Sequence, residues 1–302
     1  MAAVSVPAQG EHFWMKLKVV LIAACLVAWF GLSAAARAQG PAPGPSFGPA
    51  EMTLVPVRDN IYMIRKSSAG NVTMLVGETE VILIDAKFPQ DHDGIMEKVR
   101  SVTDLPVRYV INTHMHPDHV GGNPAMQMIG AQVIASENAR RIMAERGTPG
   151  LPNITMEDFM RVYLDDMPID IHYYGRGHTD GDIVIHLPEQ RILIAGDLFA
   201  LYEPYRAVID YSAGGSLRDW TRTLDRALQL DFDTVIPGHS GVTDRKNMEG
   251  YRAYLARTQD MVREMNRQKR SKEEIQAMLK SEFDWGGLEM NVGLAGVINE
   301  MQ

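Results

Sequence analysis

Ten consecutive residues, Thr113-His114-Met115-His116-Pro117-Asp118-His119-Val120-Gly121-Gly122, hold three of the chain's nine histidines and one aspartate. They follow Val107-Arg108-Tyr109-Val110-Ile111, an apolar run of strand type. Side chains alternate along an extended segment, so His114 and His116 point the same way. Asp118 and His119 follow where the chain must turn. One run thus presents two sets of ligands to a small volume. Neutral imidazole nitrogens and carboxylate oxygens suit zinc and neighbouring divalent metals.

Other apolar runs also end in potential ligands. Asp197 closes Arg191 to Ala195 as Ala195-Gly196-Asp197, and His239 closes Thr234 to Pro237 as Pro237-Gly238-His239. His178 lies in Gly175-Arg176-Gly177-His178-Thr179-Asp180-Gly181-Asp182, after the alternating run Ile169 to Tyr174; alone, it reads as an ordinary turn histidine. Asp85, after Glu80 to Ile84, serves equally as a turn former or as a carboxylate orienting a metal-binding imidazole. Rigid strands with ligand-bearing ends are how a precise metal site is built. His12, His92, His172 and His186 lack such positions and are expected to be structural or solvent-exposed.

The elements that must position these residues alternate in type. Strands are expected at 60–65, 72–76, 80–84, 107–111, 132–135, 169–174, 183–187, 191–195 and 234–239, with Gly77-Glu78-Thr79-Glu80 as a hairpin turn. Helical periodicity marks 90–100, 137–146, 217–230 and 244–267. Ser271-Lys272-Glu273-Glu274 is a capping box opening a further helix to about Lys280. Residues 147–158 read as a surface loop able to act as a lid, and Ser67 to Asn71 as a flap. Phe199, Tyr202, Tyr205 and Arg206 follow Asp197 and either line a substrate cleft or pack the loop. Trp285 to Met301 is expected to pack within the chain.

With 302 residues, 45% of them hydrophobic, the chain can bury a sizeable core. The formal charge is -8 and no basic run occurs, so nucleic acid and anionic membranes are not expected partners. The one cysteine, Cys25, allows no disulfide within the chain. Met15-Lys16-Leu17-Lys18, the apolar run Val19 to Leu32 and Ala36-Arg37-Ala38 read as a secretory signal peptide spanning 1–38, cleaved after Ala38. Lipidation at Cys25 is a lesser alternative. A Pro/Gly-rich leader, 39–52, then precedes a domain over 53–302, with a periplasmic or secreted location and no membrane attachment after cleavage.

On these motifs the chain resembles the metallo-β-lactamase fold superfamily over roughly residues 53 to 265. The resemblance rests on Asp85 after a strand, His114-x-His116-x-Asp118-His119, His178 in Gly-His-Thr-Asp-Gly-Asp, Asp197 in Ala-Gly-Asp and His239 in Pro-Gly-His. It implies an α/β fold, an αββα sandwich of two mixed β-sheets flanked by helices. It also implies that His114, His116 and His178 bind one metal, that Asp118, His119 and His239 bind a second, that Asp197 bridges them, and that Asp85 orients the first loop. Many zinc β-lactamases carry cysteine at the Asp197 position and lysine three residues on, where this chain has Ala200. The His/Asp set looks more like the glyoxalase II and lactonase branch.

The expected activity is that of an exported dinuclear zinc hydrolase, with iron or manganese as other possible metals. A metal-bridging hydroxide would open a β-lactam, a lactone or a related small acyl substrate. Asp118 is the candidate proton acceptor, and Tyr202 the candidate hydrogen-bond donor to the carbonyl oxygen. A glyoxalase II-like thioesterase and a mononuclear iron sulfur-dioxygenase are the alternatives. The sequence gives no oligomeric state.

Overall fold

The computed structural model describes residues 52–302. The expected signal peptide, Cys25 and nearly all of the expected leader lie outside the described residues. Two sheets face each other. Strands β1 (Thr53–Arg58), β2 (Ile61–Arg65), β3 (Val72–Val76), β4 (Val81–Ile84), β5 (Val107–Ile111), β6 (Gln132–Ser136) and β7 (Ile154–Met156) form the first, in that order. Strands β8 (Phe159–Leu164), β9 (Met167–His172), β10 (Val184–Leu187), β11 (Ile192–Gly196), β12 (Thr234–Pro237) and β13 (Thr243–Asp244) form the second, from one edge to the other. Both are mixed. Pairing is antiparallel from β1 to β4 and parallel from β4 to β7. In the second sheet only the β11–β12 pair is parallel.

Alternation along the strands builds the layers. Ile82 and Ile84 of β4 face the interior between the sheets, where Ile111, Ile134, Ile171, Ile185, Ile194 and Ile236 join them. Val81 and Leu83 face outward onto Ile95 and Val99 of α1 (His92–Arg100). A strand covered on both faces has no polar side, which is why β4 reads as an unbroken apolar run. On the far side, Val184, Leu193 and Val235 pack against α5 (Leu217–Ala227) and α6 (Arg245–Arg267) through Trp220, Leu224, Tyr251 and Leu255. Short helices α2 (Pro117–Val120) and α3 (Asn123–Met128) follow β5, and α4 (Glu137–Glu145) follows β6. The result is the expected αββα sandwich.

The Ser271 capping box opens α7 (Lys272–Phe283). The apolar tail forms α8 (Gly287–Glu300), with Trp285, Leu294 and Val297 in the core. Two expectations are corrected. Residues 147–158 are not a free lid, because Ile154–Met156 is the edge strand β7 paired with β6. Ser67 to Asn71 is not a free flap either. Only Ser67 and Ser68 are exposed, and Asn71 is pinned to the loop after β12 by its N–H to the Gly238 carbonyl (2.7 Å) and its Nδ2 to the Pro237 (2.9 Å) and Ser240 (3.0 Å) carbonyls. Among the described residues no helix is long and apolar enough to cross a membrane.

Candidate metal centre

The ends of β4, β5, β11 and β12 deliver Asp85, the histidine loop, Asp197 and His239 to one edge of the sandwich. His178 arrives from a loop, six residues past the end of β9. All seven residues expected as ligands, His114, His116, Asp118, His119, His178, Asp197 and His239, come together, as three overlapping groups with potential donor atoms within 4.8 Å of one another.

In the first group, His116 Nδ1 lies 3.1 Å from His114 Nε2 and 2.8 Å from His178 Nε2. The outer nitrogens are already engaged. His116 Nε2 sits 3.0 Å from Asp210 Oδ2, His178 Nδ1 2.6 Å from the Val208 carbonyl, and His114 Nδ1 3.1 Å from Thr113 Oγ1. An outer N–H donated to an acceptor leaves the inner nitrogen as a lone pair. Burial holds the pKa of His114 well below its ordinary value and that of His178 down to about 4, so both rings are neutral.

In the second group, His239 Nε2 is 3.3 Å from Asp118 Oδ2, and His119 Nε2 is 3.6 Å from the same oxygen. Asp197 lies between these two groups and makes up the third with His114 and His119. Its Oδ2 is 3.2 Å from His239, 3.7 Å from His178 and 4.0 Å from His114, and its Oδ1 is 3.4 Å from His119. Burial opposes charge on His119 and His239, but the surrounding carboxylates outweigh it. Asp197, Asp85 and Asp118 hold His119 well above its ordinary value, and Asp197 and Asp118 raise His239 to about 9.

Asp85 is the organiser of the loop. Its two oxygens accept from the Thr113 N–H and Thr113 Oγ1, each at 2.7 Å, and from His119 Nδ1 at 2.8 Å. Two glycines permit the close packing behind the site. A Cβ at Gly238 would overlap Asp197 Oδ1, and one at Gly70 would overlap the His119 ring. Lys87, buried beside them, donates to the Gly70 carbonyl, and burial lowers its pKa to about 8.

The donor set fits a divalent metal. Three imidazole lone pairs face one another in the first group, an arrangement that repels unless a cation lies among them. His119 Nε2 and Asp197 Oδ1 are buried with no hydrogen-bond partner among the described residues, a cost that a shared ion would remove.

The residues after Asp197 divide. Phe199 is buried against Tyr251, and the Tyr205 hydroxyl donates to the Asn247 carbonyl at 3.0 Å, so these two pack the fold. Tyr202 lies over His239, with ring centroids 6.1 Å apart, and Arg206 lies 5.7 Å from the Tyr202 ring centroid. Both line a small cavity that also touches His178 and Asp197, with the buried Trp220 and Tyr251 behind it. Asp210 is absent from the sequence-based expectations. It sits in an irregular loop whose sequence carries no periodic or motif signal. Thr113 carried one, since it directly precedes the first histidine.

Seven ligand-type side chains thus gather at one edge of the αββα sandwich. The family model described as the metallo-beta-lactamase superfamily matches residues 66–239, and the chain belongs to that superfamily. It is 32% identical over 175 residues to a metallo-beta-lactamase type 2 of Bacteroides fragilis, covering 56% of this chain and 68% of that one. It is 27% identical over 219 residues to the 2,4-dinitroanisole O-demethylase subunit alpha of Nocardioides sp. strain JS1661, covering 70% of this chain and 64% of that protein's length. Among solved structures, a metallo-beta-lactamase from Pontibacter korlensis superposes with a TM-score of 0.63 at 20% identity, covering 68% of this chain and 99% of that one. The DIM-1 metallo-beta-lactamase gives 0.61 at 19%, covering 68% and 97%. These structural likenesses concern the fold. The protein is a metal-dependent hydrolase.

Proposed function

We propose that this chain is an exported dinuclear zinc hydrolase that opens a β-lactam, a lactone or a related acyl substrate. The observation that carries the reading is Asp197, whose carboxylate faces both donor groups. Zinc is favoured because five of the seven donors are imidazoles. Bound there, a metal pair supplies a nucleophile from water at neutral pH and polarises the acyl carbonyl.

The protein's own residues supply the rest. His114, His116 and His178 hold one position, Asp118, His119 and His239 the other, and Asp197 joins them. Asp118 is partly open to solvent and takes the proton released as water attacks. Tyr202 lies beside that cavity, its hydroxyl makes no hydrogen bond among the described residues, and it donates to the substrate carbonyl oxygen. Burial raises the Tyr202 pKa, so the hydroxyl keeps its proton at neutral pH. Asp85 and Asp210 hold His119 and His116 in their rotamers. Export rests on the basic, apolar and small-residue pattern of residues 15–38.

A second reading, cleavage of a nitroaryl methyl ether, is favoured by the similarity to the O-demethylase subunit over 70% of this chain. The test is a panel of a chromogenic cephalosporin, a lactone, a thioester and 2,4-dinitroanisole, offered to zinc-loaded protein and to Asp197→Ala. Turnover of a cephalosporin or lactone that the variant loses supports the first reading. Turnover of the thioester or ether alone would replace it.

A further inference from the structure

A second cluster of ligand-type side chains lies on the outer face of the six-stranded sheet. Register pairs Asp170 of β9 with His186 of β10, and His172 with Val184, so Asp170, His172 and His186 project from one face. Each offers a ligand atom within 4.8 Å of the others. Asp170 is 7% exposed and His186 5%, both unusual for polar side chains on an outer face. His186 Nε2 is 2.9 Å from the Asp231 carbonyl and donates to it, which leaves Nδ1 as a lone pair. Metal-binding histidines are oriented by this kind of outer hydrogen bond. His172 Nε2 is buried with no hydrogen-bond partner among the described residues. Its ring is held between Phe159 and Tyr174, at centroid distances of 5.0 Å each. Burial lowers the pKa of His172, so the ring is neutral.

We propose that Asp170, His172 and His186 form a site for one imidazole-seeking divalent ion of the zinc, nickel or copper type, separate from the hydrolytic centre. Calcium and magnesium are disfavoured, since the cluster has a single carboxylate and two nitrogen donors. Arg161 holds that carboxylate, with Nε at 2.5 Å from one oxygen and a terminal nitrogen at 2.8 Å from the other. Each oxygen keeps a further lone pair, so the ion and Arg161 share Asp170. Their like charges weaken the site. Filled, it ties the β8–β9 hairpin to β10. The proposal does not depend on the reaction assigned to the hydrolytic centre.

The test is a zinc titration of metal-free wild type, His172→Gln, His186→Ala and Arg161→Gln, with bound ion counted by plasma emission after gel filtration. Wild type is expected to hold one more ion per chain than His172→Gln or His186→Ala. Arg161→Gln is expected to bind that extra ion more tightly than wild type, the reverse of what loss of a purely structural ion pair would produce. Equal zinc content in wild type and His172→Gln, with matching circular dichroism, would overturn the proposal. Should His186→Ala fail to fold, the more accessible His172 position decides the matter alone.

Discussion

The Asp210 carboxylate lies 3.0 Å from His116 Nε2, joining residues 94 positions apart in the chain. Arg146 at 3.6 Å and the Ser212 hydroxyl at 2.6 Å hold the same carboxylate from its other sides. Burial alone would raise its pKa, but the His116 and Ser212 hydrogen bonds outweigh burial and keep Asp210 ionised. The charge is therefore available to fix the His116 tautomer with its inner nitrogen bare.

Asp210→Ala should weaken zinc binding at the three-histidine group by about 10- to 100-fold, the usual effect of losing such an outer partner. Competition with a chromophoric chelator measures this directly. Affinity equal to wild type would remove Asp210 from the account.

Asp85→Ala removes the acceptor of three buried hydrogen bonds at once. It leaves the Thr113 N–H and the His119 ring without their partners. A destabilisation of about 3 kcal/mol or more is expected, as when one member of a buried pair is deleted. Urea unfolding of the metal-free protein checks this, and a loss under 1 kcal/mol would contradict it.

Gly238→Ala places a methyl group where Asp197 Oδ1 now stands. The carboxylate must move, and the Gly196 carbonyl at the end of β11, within 2.7 Å of that methyl group, must give way as well. Hydrolysis should fall by about tenfold or more with an unchanged far-UV spectrum, because ångström-scale misplacement of catalytic groups is costly. Wild-type turnover in this variant would show that Asp197 need not occupy its observed position.

Metal uptake should release protons. In the metal-free protein His239 titrates at about 9 and His119 well above its ordinary range, so both rings are charged at neutral pH. Metal binding requires them neutral, and affinity should rise with pH toward 9. Stability of the metal-free protein changes in the opposite sense. A raised histidine pKa stabilises fully below about 6.5, its unfolded value, and that contribution is lost as pH rises through about 9. Calorimetry in two buffers of different ionisation heat counts the protons, and none released at pH 7.5 would contradict the charge state.

Much of this was legible in the sequence because the centre is built at strand ends. β4 and β11 are apolar on both faces, and β5 and β12 are so apart from Arg108 and Thr234, so each stands out as a short run whose next residues are the polar ones. β8 was illegible for the opposite reason. It is an edge strand with Phe159, Arg161 and Tyr163 facing outward, and its turn is the plain Asp165-Asp166. β7 has three residues and follows a glycine- and proline-rich stretch that reads as loop. Asp210 could not be found because its contact with His116 is tertiary. His172 and His186 read as lone strand histidines; alternation along β9 sets His172 beside Asp170, but only the register between β9 and β10 brings His186 to them.

The most direct measurement is the zinc content and hydrolytic rate of the zinc-loaded protein and of Asp197→Ala, both carrying His172→Gln so that only the hydrolytic centre is counted. The account predicts two ions per chain in the parent. In the variant it predicts fewer ions and a rate lower by about 100-fold or more. Two ions and an undiminished rate in the Asp197 variant would contradict a centre joined by that carboxylate.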